Sequence, residues 1–177
     1  MAEFVAVVDE HDVVVGVEAL DKVHERGILH REAYVYLINS RREVLLQRRA
    51  DNGLWDHSAA GHFSKDETYV QGALREFEEE LGVKIDVEDL HEIASERLET
   101  AKPNKKNVRF VKVFLVRKDI PLERFKIDRG EVAAVKFFTE EGVQDLLRQP
   151  DLLTGSAKFL IEKYVLNLLT GFQAQPL

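Results

Sequence analysis

At 177 residues, with 45% hydrophobic side chains, the chain is long enough to bury one good core, and a single domain covering residues 1–177 is expected. The net charge of −7 argues against nonspecific binding to nucleic acid, and the lack of cysteine excludes disulfides, thiolate metal sites and thiol nucleophiles. No apolar run approaches the ~18 residues of a membrane span and no signal-peptide pattern opens the chain, so the expectation is a cytoplasmic protein without a membrane partner.

Apolar runs at residues 4–8 and 13–17 flank Asp9-Glu10-His11-Asp12 and predict a hairpin. Residues 21–26 predict a short helix before Gly27. Residues 33–38 and 44–47, around Asn39-Ser40-Arg41-Arg42, predict a second hairpin. Gly53, Ser58 and Gly61 then mark a loop. Beyond it, Val70, Ala73, Leu74, Phe77 and Leu81 recur at helical spacing, and Gly82 is a natural C-terminal stop. Residues 93–98 and 108–116 predict strands around a polar loop, Lys102-Pro103-Asn104-Lys105-Lys106-Asn107. Residues 132–138 predict another strand, and 139–148 and 156–169 predict closing helices. No internal repeat or low-complexity tract divides the chain.

The helix after Gly61 carries the chemistry. Arg75-Glu76-Phe77-Glu78-Glu79-Glu80 places four carboxylates in five residues. Like charges three and four apart repel, by roughly 0.2–0.5 kcal/mol per pair. Divalent cations shared between them remove that repulsion. At helical spacing Glu76, Glu79 and Glu80 share a face that is not the apolar one, so one helix aims three carboxylates at one point. Hard oxygen ligands suit Mg²⁺ or Mn²⁺ completed by water and substrate phosphates. The alternative reading of a Glu-rich helix is a solvated acidic face. Asp66, Glu67, Glu76, Glu78, Glu79 and Glu80 outweigh Lys65 and Arg75 by four charges, six against two, which bound metal would offset.

The offsets resemble a complete Nudix box: Gly61, five residues, Glu67, seven residues, Arg75-Glu76, an apolar residue, any residue, Glu79-Glu80, any residue, Gly82 and an apolar residue. Phe77 is bulkier than the aliphatic residue usual in the family. The resemblance implies an α/β fold, an α/β/α sandwich with a mixed β-sheet, and Mg²⁺-dependent hydrolysis of a diphosphate linked to another group. It implies that Glu76, Glu79 and Glu80 hold metal with the Gly61 carbonyl, and that Glu67 and Arg75 brace the unit that Gly82 closes.

Three further features bear on chemistry. Glu131, at the start of the late strand, matches a position where many Nudix enzymes carry a glutamate as metal ligand or general base. The candidate bases are therefore Glu79, Glu80 and Glu131, with Asp128 a weaker neighbour. Arg48 and Arg49 end the second hairpin, and Lys102, Lys105, Lys106 and Arg109 surround the late loop. Arginine offers phosphate a bidentate fork, so Arg48 and Arg49 are candidate substrate contacts, although alternation lets only one of them face a given site. The third feature is His24, His30 and His62. The segment from His24 to Phe63 is similar to the isopentenyl diphosphate isomerase branch of the superfamily, through its histidine-containing segments, Gln47-Arg48-Arg49, and the run from Leu54 to His62. That branch binds a metal through histidines in matching segments, which implies a second metal site of His24, His30 and His62.

Against isomerisation, the branch uses a cysteine where this chain has Ala60, and the isomerase box is degenerate where this one is intact. Ser58 is close by, but an unactivated hydroxyl is a poor acid. The expectation is a Mg²⁺-dependent hydrolase, with Mn²⁺ as substitute, cleaving a nucleoside diphosphate derivative or another organic diphosphate. The alternatives are an isomerase-like enzyme and a non-catalytic Nudix-fold binding module. Trp55, Tyr34, Tyr36, Phe110 and Phe114 are candidates for stacking on a base, although strand aromatics are more often core. Expected partners are a small-molecule diphosphate and at most a second copy of the chain in a homodimer, with no specific nucleic acid.

Overall fold

A computed structural model describes residues 3–102 and 105–170. The fold is organised by β3 (His30–Ile38), which is apolar on both faces because both are covered. Tyr34, Tyr36 and Ile38 point into one core with Val143 and Leu146 of α3 (Glu140–Leu147) and with Ala157 and Leu160 of α4 (Gly155–Leu160). Ala33, Val35 and Leu37 point into the other with Ala73, Phe77 and Leu81 of α2 (Tyr69–Leu81). The expected α/β/α sandwich is therefore present, and strand alternation sorts one strand into two cores.

The two edges of β3 differ. Along one edge β8 (Lys105–Arg117) runs parallel, from His30 opposite Arg109 to Ile38 opposite Arg117. Along the other edge the antiparallel partner changes twice. His30 meets Val7 of β1 (Phe4–Val8), residues 32–35 meet β6 (Ala59–His62), and Leu37 and Ile38 meet β4 (Val44–Arg49). The sheet is thus mixed. β2 (Val14–Ala19) continues it beyond β1, while β5 (Trp55–Asp56) and β9 (Val132–Phe138) both pair with β4. β4 and β6 fork from one strand, and the gap between them opens the site.

The first hairpin, the helix α1 (Leu20–Arg26) closed by Gly27, and β9 stand where the sequence puts them. α2 opens on a capping box, Thr68 accepting from the Gln71 backbone N–H while Gln71 accepts from that of Thr68. It closes on Gly82 at φ 66°, where a Cβ would lie 2.4 Å from the Lys126 carbonyl oxygen.

Two expectations need correction. The loop marked by Gly53, Ser58 and Gly61 contains two short strands, β5 and β6. Ala59-Ala60-Gly61-His62 has no β-branched residue, so only tertiary pairing with β3 makes it a strand. The late polar loop is mostly strand as well. β7 (Leu90–Lys102) and β8 pair as far as Lys102 opposite Lys105, because their outer halves are solvated rungs without apolar alternation. Pro103 and Asn104, and the side chains of Lys102 and Lys105, lie outside the described residues. The last helix continues from α4 through a π-helical turn, Ile161–Val165, to Leu166–Leu169. Among the described residues no helix is long and apolar enough to cross a membrane.

Candidate functional site

The buried Ala73, Phe77 and Leu81 fix α2 against the sheet and turn Glu76, Glu79 and Glu80 toward the fork. Glu80 lies in the gap itself. Its Oε2 accepts from Gln47 Nε2 of β4 at 3.0 Å and from the Ala60 backbone N–H of β6 at 2.9 Å. Glu76 is buried beside Gly61. A Cβ on residue 61 would sit 2.2 Å from the Glu76 carboxyl carbon, so only glycine lets this backbone approach the acid. Glu79 is exposed at the rim.

Arg75 ties the unit together. Its guanidinium donates to Glu67 at 2.9 Å, Glu76 at 2.8 Å, Glu79 at 2.7 Å and the His62 carbonyl at 2.8 Å. Glu67 in turn accepts from the Ser64 backbone N–H at 2.8 Å. Bracing roles for Glu67 and Arg75 match this geometry. Arg75 screens Glu76 and Glu79, but among the described residues no cation pairs with Glu80. Burial pushes the Glu80 carboxyl up to about 8 against its hydrogen bonds from Ala60 and Gln47. Burial likewise raises Glu76 to about 7, with Arg75 opposing and Glu79 and Glu131 adding repulsion. Two neighbouring carboxyls raised chiefly by burial fit a divalent cation held by Glu76, Glu79, Glu80 and the Gly61 carbonyl.

These groups line a cavity of about 530 Å³. Glu131 lies on its wall at the start of β9, and its side chain forms no ion pair among the described residues. Asp128 instead builds the preceding turn, accepting from the Gly130 N–H at 2.8 Å. Arg49 lines the cavity, paired with Asp51 at 2.9 Å and Asp56 at 3.3 Å. Arg48 points away from it and donates to the Gly53 carbonyl at 2.9 Å, so the pair splits as alternation requires. Lys106 is exposed, its stem packed beside Gly27. Ser58 is buried, donates to the Leu45 carbonyl and accepts from the Leu37 N–H, which takes it out of the chemistry.

The three histidines converge from α1, β3 and β6. Ring centroids are 5.3 Å apart for His24 and His30 and 5.1 Å for His24 and His62 and for His30 and His62. Glu32 joins them, with one ligand atom from each of the four residues within 4.8 Å of the others. His30 Nδ1 lies 2.9 Å from the Ile28 carbonyl, so that nitrogen carries the proton and donates; the bare, buried Nε2 has no hydrogen-bond partner. Glu32 Oε1 faces His62 Nε2 at 2.8 Å and accepts from Asn107 at 2.8 Å, while Oε2 meets Arg109 at 2.8 Å and the Tyr34 hydroxyl. Burial opposes ionisation of Glu32, yet His62 and Arg109 hold it well below the usual carboxylate range. An orphaned imidazole nitrogen beside a fixed carboxylate fits a borderline divalent metal.

The NUDIX domain family model matches residues 28–160. The chain belongs to the Nudix family. It is 36% identical over 140 residues to Nudix hydrolase 3 of Arabidopsis thaliana, covering 73% of this chain and 18% of that protein. An uncharacterised Nudix hydrolase of Listeria monocytogenes, lmo0368, is 31% identical over 140 residues, covering 73% of this chain and 78% of its own. An isopentenyl-diphosphate Delta-isomerase of Pectobacterium atrosepticum is 39% identical over 85 residues, 45% of this chain and 48% of that protein. The chain thus spans under a fifth of the plant protein and about half of the isomerase. Among solved structures, DR0079 from Deinococcus radiodurans superposes with a TM-score of 0.73 at 23% identity, over 91% of this chain and 98% of its own. Both resemblances read from the sequence, to the Nudix family and to its isomerase branch, are present among these relatives.

Sequence reading found the Nudix helix and the histidines and counted Arg109 among the cations around the late loop, but it missed Glu32 and gave Asp56 and His57 no individual role. The one available signal was the spacing of His30 and Glu32, two apart on a strand and so on one face. Nothing local announces Arg109, whose partner Glu32 lies on the parallel neighbour strand.

Proposed function

We propose that this chain is a divalent-metal-dependent hydrolase that cleaves the phosphoanhydride bond of a small organic diphosphate. The observation that carries this reading is the convergence of Glu76, Glu79, Glu80 and Gly61 on one cavity, with the carboxyls of Glu76 and Glu80 buried there and raised by that burial. Mg²⁺ is the expected ion, with Mn²⁺ as substitute. Bound metal supplies charge neutralisation on the diphosphate oxygens and acidifies the attacking water.

The chain's own groups divide the remaining work. Eight carboxylates and three arginines line the cavity, and Arg49, Arg75 and Arg109 are all paired with carboxylates. A diphosphate therefore enters only with its cations, and the arginines hold acids in place rather than clamping phosphate. Water attacks one phosphorus, the anhydride P–O bond breaks, and the products are an organic phosphate and inorganic phosphate, or two smaller phosphates. Among Glu79, Glu80 and Glu131, Glu131 is favoured as the base because its carboxylate is exposed and unpaired among the described residues, whereas Arg75 engages Glu79 and two donors engage Glu80. His24, His30, Glu32 and His62 are assigned a second metal site at the far end of the same cavity.

The isomerase reading has the histidine cluster and the isomerase relatives in its favour. Against it stands Ala60, which lines the cavity with a methyl and gives its N–H to Glu80. Proton transfer to carbon needs a titratable group at that point. Phosphate release from a panel of diphosphates with Mg²⁺ tests the proposal. Release identifies a hydrolase, conversion of isopentenyl to dimethylallyl diphosphate without release identifies an isomerase, and binding with neither identifies a non-catalytic module.

A further inference from the structure

The wall opposite the acidic helix belongs to no part of the metal chemistry. Asp56 and His57 supply it from β5 and the residue after it, and Thr154 and Ser156 from the start of α4. Its hydrogen bonds are directional. The Asp56 carboxylate can only accept, and it takes the Thr154 hydroxyl at 2.7 Å. His57 Nε2 lies 3.2 Å from the same carboxylate oxygen and 3.3 Å from Ser156 Oγ, so Nε2 carries the proton. The bare Nδ1 then accepts from the Tyr36 hydroxyl at 2.7 Å. The His57 ring is stacked on Tyr34 with centroids 4.0 Å apart, which leaves it no freedom to turn. The one Nε2–H is shared between Asp56 and Ser156, and the half-buried Ser156 hydroxyl has no acceptor among the described residues, which leaves its hydrogen for a ligand in the cavity.

The composition of the cavity says what such a donor is for. Among the described lining residues, Leu54 and Ala60 are the aliphatic side chains. An isoprenoid chain here would strip Asp56, Thr154 and Ser156 of water and return no hydrogen bond. Among the described residues that line the cavity, Tyr34 is the only Phe, Tyr or Trp. Trp55 packs edge-on against Phe138 at 4.8 Å, Tyr36 and Phe114 are core, and Tyr34 is 3% exposed beneath His57. The volume of about 530 Å³ suits a ligand of sugar-phosphate size.

We propose that the substrate is the diphosphate of a polyhydroxylated, non-aromatic group, that Ser156 binds a hydroxyl of that group, and that His57 is the positioning residue that aims Ser156. This rests on the hydrolase reading and narrows it to a substrate class.

The test compares kcat/KM with Mg²⁺ for phosphoribosyl diphosphate, adenosine diphosphate and dimethylallyl diphosphate. Phosphoribosyl diphosphate is expected to exceed the prenyl compound by at least about 100-fold, since a site built to pair hydroxyls rejects a ligand lacking them, and the nucleotide by at least about 10-fold, since the base on its ribose finds no stacking partner in the cavity wall. Ser156→Ala should raise KM for the sugar compound about 10-fold, more than it lowers kcat, and Ser156→Thr, which keeps a hydroxyl, should restore it. His57→Gln, which keeps an N–H, should be milder than His57→Leu on the same KM. A preference for either other substrate, or an unchanged KM in Ser156→Ala, overturns the inference and leaves the hydrolase reading standing. Cleavage of none of the three, with binding intact, overturns the hydrolase reading, and the inference falls with it.

Discussion

Replacing Glu80 by glutamine should make the metal-free protein more stable while removing its activity. In the fold Glu80 is 6% exposed, with no cation beside it, and its carboxyl is pushed up to about 8 from an ordinary value of 4.5. At pH 7 the unfolded chain carries this group ionised, so folding must bind a proton. The gap of about 2.5 pH units between 4.5 and 7 costs about 3 kcal/mol at roughly 1.4 kcal/mol per unit. Glutamine is neutral in both states and escapes that cost. Its amide oxygen, placed where Oε2 lies, still accepts from Gln47 and Ala60. The sign follows from the raised folded value: the penalty is absent below about pH 4.5, grows as pH rises and is complete above about 8. Urea unfolding in EDTA at pH 5, 7 and 8.5 should therefore show Glu80→Gln gaining on wild type as pH rises, by up to about 3 kcal/mol at pH 7. A variant less stable than wild type at pH 7, or a gap that ignores pH, would refute the reasoning.

Glu79→Gln and Glu131→Gln should each lower phosphate release by on the order of 10²-fold or more without unfolding the chain, because both side chains are exposed; steady-state kinetics with circular dichroism checks this. Millimolar Mg²⁺ or Mn²⁺ should raise Tm, and Glu76→Gln should blunt the rise, since a ligand bound only by the folded state stabilises it by mass action. Gly61→Ala should weaken the Mg²⁺ response, because its Cβ would lie 2.2 Å from the Glu76 carboxyl carbon and displace that carboxyl. His30→Ala should lower the transition-metal content of the purified protein by one ion per chain, read by elemental analysis, while leaving the Mg²⁺-induced rise in Tm in place.

The acidic helix could be read from the chain because its determinants are local. Glu76, Glu79, Glu80 and the stop at Gly82 lie within one helix, and 3.6 residues per turn fixes their shared direction. The sandwich followed from the resemblance to the Nudix box, while its central strand was legible in the apolar run at residues 33–38. The second strand edge was not. Ala59 to His62 carry no strand propensity, and their pairing with β3 is a tertiary fact. Arg48 and Arg49 show the boundary between the two cases: alternation says that one of them faces the cavity, but only the fold, which turns Gln47 toward Glu80 and so Arg49 to the same side, says which. Glu32 and Arg109 are 77 positions apart and meet only because β3 and β8 run parallel. No window on the sequence contains both.

The fork in the sheet has a consequence for how the chain reaches its active form. β4 and β6 are held at a common distance by a single carboxylate oxygen, to which each contributes one donor. That oxygen belongs to a helix arriving from the opposite layer. The last hydrogen bonds to close the sheet at this point are therefore the ones that set the acid in place, and the site cannot be half assembled while the sheet is whole. Hydrogen exchange at the Ala60 amide, which has Glu80 for its acceptor, would then report both events at once: its protection should appear together with that of the central strand and should vanish with it.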